Sequence, residues 1–217
     1  MSALVATRQD RRRARTRDAL ISAAEALFAA RGPDAVSVDE IVSAADVAKG
    51  SFYNHFSDKD ALAREIARSV RAEVEREVDA RNEGIGDPAM RSARALCIFL
   101  EFAHTQPARA TILAQLVSAS TDANATLNRG LSEDVKSGLA LGRFGGVSRE
   151  SAILFILGVT LSGMHRALNG LTPEVLVKLG RELIFLKLRG LGLPDDEAQA
   201  IAGQATAEIF EQGKSGS

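Results

Sequence analysis

From Thr16 to Arg31 the apolar residues Leu20, Ala23, Ala24, Leu27 and Phe28 fall at i, i+3, i+4, i+7 and i+8, one face of an amphipathic helix. Comparable spacing recurs along almost the whole chain. No stretch sustains the apolar/polar alternation with β-branched residues that a half-buried strand requires. Pro33 follows Gly32 and stops the first helix, while Pro88, Pro107, Pro173 and Pro194 stand where a missing N–H is harmless, at helix starts. The pattern predicts an all-α fold. After two short helices and a long one that opens near Lys59, it places helices at 88–105, 107–119, 122–142, 148–169, 172–189 and 195–211.

Composition narrows the class. With 217 residues, 46% hydrophobic and 25% charged, the chain can bury a sizeable core, which excludes a disordered or fibrous protein. A single cysteine, Cys97, excludes an intramolecular disulfide and a cysteine-rich zinc site. The longest strongly apolar stretch, Ile153 to Leu161, falls far short of the ~20 residues of a membrane span. The N-terminal arginines have no apolar segment behind them, so no secretory signal is read. The expectation is a cytoplasmic protein without a membrane partner.

The near-zero net charge hides an uneven distribution. Residues 1–17 carry six arginines (Arg8, Arg11, Arg12, Arg13, Arg15, Arg17) against Asp10 alone, a local charge of +5. A basic arm of this kind (1–15) is either a solvated, flexible tail or a phosphate-seeking element ahead of a nucleic-acid-binding unit. The segment behind it decides between them. Ser37 and Glu40 form a capping-box pattern that opens a short helix with Val38, Ile41 and Val42 inward. A break at Asp46-Val47 leads to a second short helix over 48–56. Ser57-Asp58-Lys59-Asp60 then starts a long helix lined by Leu62, Ile66, Val70, Val74 and Val78.

Two short helices across a tight turn, with a supporting helix in front, make a helix-turn-helix. In Lys49-Gly50-Ser51-Phe52-Tyr53-Asn54-His55-Phe56, Phe52 and Phe56 are four apart and face inward. The remaining face offers Asn54 and Ser51 to base edges and Lys49, Tyr53 and His55 to phosphate oxygens. Gly50 lets backbone approach a phosphate closely. Ser37 and Lys59, at helix starts, are further candidates for phosphates, with Arg15 and Arg17 from the arm.

These residues carry a resemblance. Ala23, Ala24, Leu27, Phe28 and Gly32, then Val38 and Ile41, the run Val47 to Phe56, and Lys59-Asp60-Ala61-Leu62 together resemble the N-terminal domain of the tetracycline-repressor (TetR) family of bacterial transcriptional regulators. The match runs without a gap from Thr16 to about Ala67, a quarter of the chain. It implies a DNA-binding domain over 16–67, joined through the long fourth helix to a helical effector-binding and dimerisation domain over 68–212, with 213–217 as a tail. It also implies a homodimeric repressor that a small effector releases from a palindromic double-stranded operator. The chain departs from the family in two places: Asp46 stands where glycine is frequent in the turn, and Ala48 where Ser or Thr often caps the recognition helix.

Outside that domain the signals are weaker. Cys97, Glu101 and His104 share one side of the helix at 88–105. With Phe99, Phe102, Leu113, Leu116, Val117 and Phe155, and with Phe144 and Gln115, they are candidates for an effector cavity, apolar with a few polar anchors, that suits a mostly hydrophobic molecule. Their alternatives are solvent exposure and, least of all, a metal site; no metal and no cofactor is expected. Ile153, Leu157, Gly158, Thr160 and Met164 on one helix, with Leu179, Gly180, Leu183 and Ile184 on the next, are candidates for a dimer face. No catalytic constellation stands out, neither a G-x-S-x-G elbow nor a phosphate loop nor H-E-x-x-H, so no enzyme is expected. An all-helical enzyme or carrier, or an interaction bundle without DNA, are the competing classes; the arginine arm and the recognition helix favour the regulator.

Overall fold

A computed structural model of the chain describes residues 7–117 and 128–212, without the side chains of 115–117 and 211–212. All its regular elements are helices: α1 (Arg8–Arg31), α2 (Val38–Ala44), α3 (Lys49–Tyr53), α4 (Lys59–Arg81), α5 (Pro88–Thr105), α6 (Pro107–Val117), α7 (Arg129–Ala140), α8 (Arg149–Ala167), α9 (Pro173–Gly190) and α10 (Asp195–Gln212). The chain divides into two compact units, residues 1–69 and 70–217, and α4 runs through the division. The expected start of the seventh helix at Asp122 and the tail 213–217 lie outside the described residues.

In the first unit, Leu20, Ala24 and Phe28 of α1 are fully buried together with Ile41, Phe52 and Leu62. Burying each of the leucine, isoleucine and phenylalanine side chains contributes about 1.5–3 kcal/mol. Helix ends follow the sequence signals. The Ser37 hydroxyl accepts from the Glu40 N–H while the Glu40 carboxylate accepts from the Ser37 N–H, the expected capping box. Gly32, at φ 78°, ends α1 and donates its N–H to the Phe28 carbonyl at 2.8 Å. At the start of α4 the cap is Asp58, whose Oδ1 accepts from the Ala61 N–H at 2.6 Å.

The basic segment differs from its expectation. α1 begins at Arg8, so Arg8 to Arg15 are helical rather than a flexible arm. Thr7 accepts from the Asp10 N–H and the Asp10 carboxylate accepts from the Thr7 N–H, a second capping box. Arginine is a good helix former. A helix that is polar on every side simply leaves no apolar periodicity to read.

In the second unit, α5 is the central element, buried on nearly all sides between α7, α8, α9 and α10. Asp87 caps it, accepting from the Ala89 N–H at 3.0 Å, with Pro88 in the first turn. Three cations, Arg71, Arg94 and Lys187, are buried here. The Arg94 guanidinium is held by Asn82 Oδ1, by the Arg81 carbonyl and by Glu208. Lys187 of α9 is completely buried. At Gly138 a Cβ would come within 2.2 Å of the Phe144 ring, so only glycine lets α7 sit against that side chain.

Candidate functional site

The face of α3 forms from the bottom up. Phe52 is fully buried and Phe56 nearly so, their rings 5.8 Å apart, which anchors the short helix to the core of the first unit. That anchoring leaves Lys49, Gly50, Tyr53 and Asn54 exposed and Ser51 and His55 half-buried. Tyr53 is 54% exposed, although its ring packs edge-on against Phe52. Nothing lies within 4 Å of where a Gly50 side chain would start, so that backbone is open to an approaching group. No side chain caps α3, since Ala48 has none to offer. The turn before it holds Asp46 at φ 52°, a left-handed conformation that costs a non-glycine residue energy.

Around that face, charges are already paired. Lys49 Nζ lies 2.7 Å from Asp39 Oδ1 of α2, which holds the ammonium above its ordinary pKa. Arg17 pairs with Glu65 and stacks over the Phe56 ring at 5.6 Å. Arg15 is exposed, without an ion-pair partner among the described residues. Burial, and then the nearby Arg13 and Arg17, hold the His55 imidazole below its usual range. Lys59 is placed differently from expectation: its ammonium donates to the carbonyls of Pro33 at 2.7 Å and Val36 at 2.9 Å, stapling the α1–α2 loop. Ser37 is likewise occupied, by its own capping box.

In the second unit, a cavity of about 60 Å³ opens between α4, α5, α7 and α8. Of the expected wall residues, Phe99, Leu113 and Phe144 line it. Cys97 is fully buried elsewhere, its thiol pushed up to about 12 by burial, while Glu101 pairs with Arg81 at 2.5 Å. Glu101 and His104 border a separate shallow groove, and Phe102 is buried in the core. The side chains of Gln115, Leu116 and Val117 lie outside the described residues. Among the described residues no group of histidine, cysteine and acidic side chains is arranged to hold a metal.

The residues of α8 are placed differently from expectation. Leu157, Thr160 and Met164, expected at a dimer face, line the cavity, whereas Phe155, expected in the cavity, is 39% exposed. Ile153, Gly180 and Ile184 are buried within the unit, with Leu179 and Leu183 half-buried and Gly158 exposed. The large apolar side chains left exposed on α8 and α9 are Leu154, Phe155, Val175 and Leu186. α8 is apolar on every side, so periodicity cannot say which side turns inward.

The cavity also has a polar wall. Arg71 Nε donates to Glu75 Oε1 at 2.7 Å, and its guanidinium lies 5.0 Å above the Phe99 ring. Arg91 Nε donates to Asp134 Oδ1 at 2.7 Å. Burial pushes the carboxyls of Glu75 and Asp134 above their ordinary range, against the pull of those guanidiniums. Ser92 is 5% exposed, and its Oγ has no hydrogen-bond partner among the described residues. Charged residues on amphipathic helices read as solvated faces, so this wall left no signal in the sequence.

Comparison with known proteins agrees with these features. Residues 20–66 match the family of bacterial regulatory proteins described as the tetR family. The HTH-type transcriptional repressor DhaR of Mycobacterium sp. (strain GP1) is 32% identical over 75 residues, 35% of this chain and 38% of DhaR. The Transposon Tn10 TetC protein of Escherichia coli is 47% identical over 47 residues, 22% of this chain and 24% of TetC. The chain thus spans well under two thirds of either relative. Among solved structures, RolR in complex with resorcinol superposes with a TM-score of 0.66 at 24% identity, over 89% of this chain and 96% of RolR. A tetR family transcription regulator from Shewanella sp. PV-4 superposes with a TM-score of 0.72 at 18% identity, over 82% of this chain and 99% of that one. At these identities the superpositions speak for the all-helical fold alone. Residues 20–66 thus carry an N-terminal domain of the kind found in the TetR family of bacterial regulatory proteins.

Proposed function

We propose that the chain is a DNA-binding transcriptional regulator, a homodimeric repressor that a small, mostly apolar effector releases from a near-palindromic operator. The observation that carries this reading is the face of α3, with Lys49, Ser51, Tyr53 and Asn54 turned outward over the buried Phe52 and Phe56. Asn54 and Ser51 read base edges, while Lys49, Tyr53 and the arginines of α1 hold phosphates. Repression follows the sense of DhaR's name, and the small guest of RolR supports an effector in the cavity of the second unit. Leu154, Phe155, Val175 and Leu186 offer the apolar surface that a twofold partner covers.

Coupling rests on α4. Its first half belongs to the DNA-binding unit, and Arg71, Glu75 and Val78 of its second half line the cavity. A guest that shifts those residues biases the spacing of two recognition helices in a dimer.

A gel shift against the chain's own promoter DNA at increasing salt tests the reading. Specific retardation with a steep loss of affinity on adding salt supports it. Binding that Asn54→Ala leaves unchanged in both affinity and sequence preference refutes the assignment of the α3 face.

A further inference from the structure

The cavity in the second unit says more about its guest than that it is small and apolar. We propose that it takes a neutral molecule bearing a hydroxyl group on an apolar body, and refuses the corresponding carboxylate. This deepens the reading of the cavity as the effector site and rests on it.

Three observations carry the assignment. The first is Ser92 on α5, which borders the cavity. Its Oγ is buried with no partner, and an unmade hydrogen bond at a buried hydroxyl costs free energy until a guest supplies one. The second is the acceptor capacity that α4 and α7 bring to the same cavity. Glu75 and Asp134 each use Oε1 or Oδ1 on an arginine, and Glu75 Oε2 and Asp134 Oδ2 have no partner among the described residues. A hydroxyl both donates and accepts, so it matches the serine on one side and a free carboxylate oxygen on the other.

The third observation is the charge. Arg71 and Arg91 line the cavity with Glu75, Asp79 and Asp134, a surplus of one negative charge. A carboxylate guest accepts only and would add a fourth anion to that wall. An ammonium guest is drawn by that surplus, but it donates only, so the Ser92 O–H stays without an acceptor while the cation loses its hydration. Elsewhere in the lining, Leu96, Phe144 and Ile156 offer nothing to a charge but suit a ring or short alkyl body.

The test compares benzyl alcohol, benzoate and benzylammonium, which share one body and differ in charge, by calorimetry on the full chain without DNA. Benzyl alcohol is expected to bind at least tenfold tighter than benzoate, with benzylammonium between the two. Ser92→Ala is expected to lower that affinity roughly three- to tenfold. The same substitution should raise the melting temperature of the free protein, because it removes the orphaned hydroxyl, whereas a merely structural serine would lower it. Asp134→Asn is expected to narrow the preference against benzoate. The proposal is overturned if benzoate binds as tightly as the alcohol, if none of the three binds at millimolar concentration, or if Ser92→Ala leaves alcohol affinity unchanged. Operator release is measured separately. If benzyl alcohol binds through Ser92 and leaves DNA affinity unmoved, the ligand assignment stands and the regulatory reading falls.

Discussion

Lys187 Nζ donates to the backbone carbonyl of Ser92 at 2.6 Å, tying the interior of α9 to the helix that walls the cavity. The lysine is fully buried, and burial lowers its pKa from the ordinary 10.5 to about 7, with the Cys97 sulfur a smaller, opposing influence. Below pH 7 folded and unfolded chains both carry the proton, so the fold bears the full cost of a buried charge. Between about pH 7 and 10.5 only the unfolded chain binds it, so stability rises with pH through that window. Lys187→Met is expected to raise stability near neutrality by about 1–3 kcal/mol and to flatten that rise. Urea unfolding at pH 6, 8 and 9.5 measures both; a variant with the parent's slope would show that another group sets it.

Asp46 sits at φ 52°, which glycine adopts without strain. Asp46→Gly is therefore expected to stabilise the first unit by up to about 1 kcal/mol, seen as a higher melting temperature. An unchanged or lower value would mean that the carboxylate compensates its own strain.

Ala48 precedes α3 with a β-region backbone and no hydroxyl. Ala48→Ser supplies the missing cap and should add about 1 kcal/mol. Slower amide exchange within α3 is the direct readout, and no change there would refute a capping geometry at this position.

The ammonium of Lys59 donates to two loop carbonyls within 2.9 Å, so it acts as a staple. Lys59→Met is expected to lower stability by about 1–3 kcal/mol, since it leaves those carbonyls short of a charged donor. The competing role at a phosphate predicts instead a normal melting temperature with weaker DNA binding.

Lys49 reaches DNA only by leaving Asp39. Asp39→Asn should tighten binding to specific and non-specific DNA alike, by about two- to fivefold at low salt, given the modest worth of an exposed pair. Equal affinities for the two proteins would show that Lys49 does not touch a phosphate.

The two parts of the molecule were unequally legible. In the first unit, local rules and tertiary packing point the same way. Leu20, Ala24 and Phe28 show a clear stripe, Ser37 and Glu40 announce a cap, and Phe52 and Phe56 can turn only inward. In the second unit, helix starts were readable from Asp87, Thr172 and their prolines, but helix phase was not. α8 offers apolar residues in every direction, so the pattern could not say that Leu157 lines the cavity and Phe155 stays exposed. The polar wall escaped because Arg71, Glu75 and Asp134 look, along their own helices, like residues for solvent. Only the packing of α5 against α7 and α8 encloses them.

The capping box of Thr7 and Asp10 changes what the N-terminal arginines can do. Arg8, Arg11, Arg12 and Arg15 recur every three or four residues, so on a helix they share one side. A loose tail of the same composition would lose about 1–2 kcal/mol of backbone freedom for each residue that an anionic surface orders. Here the backbone is already ordered, and an approaching polyanion immobilises side chains alone. The helix thus presents its charge at a fixed spacing, and a phosphate track that matches that spacing is favoured over one that does not.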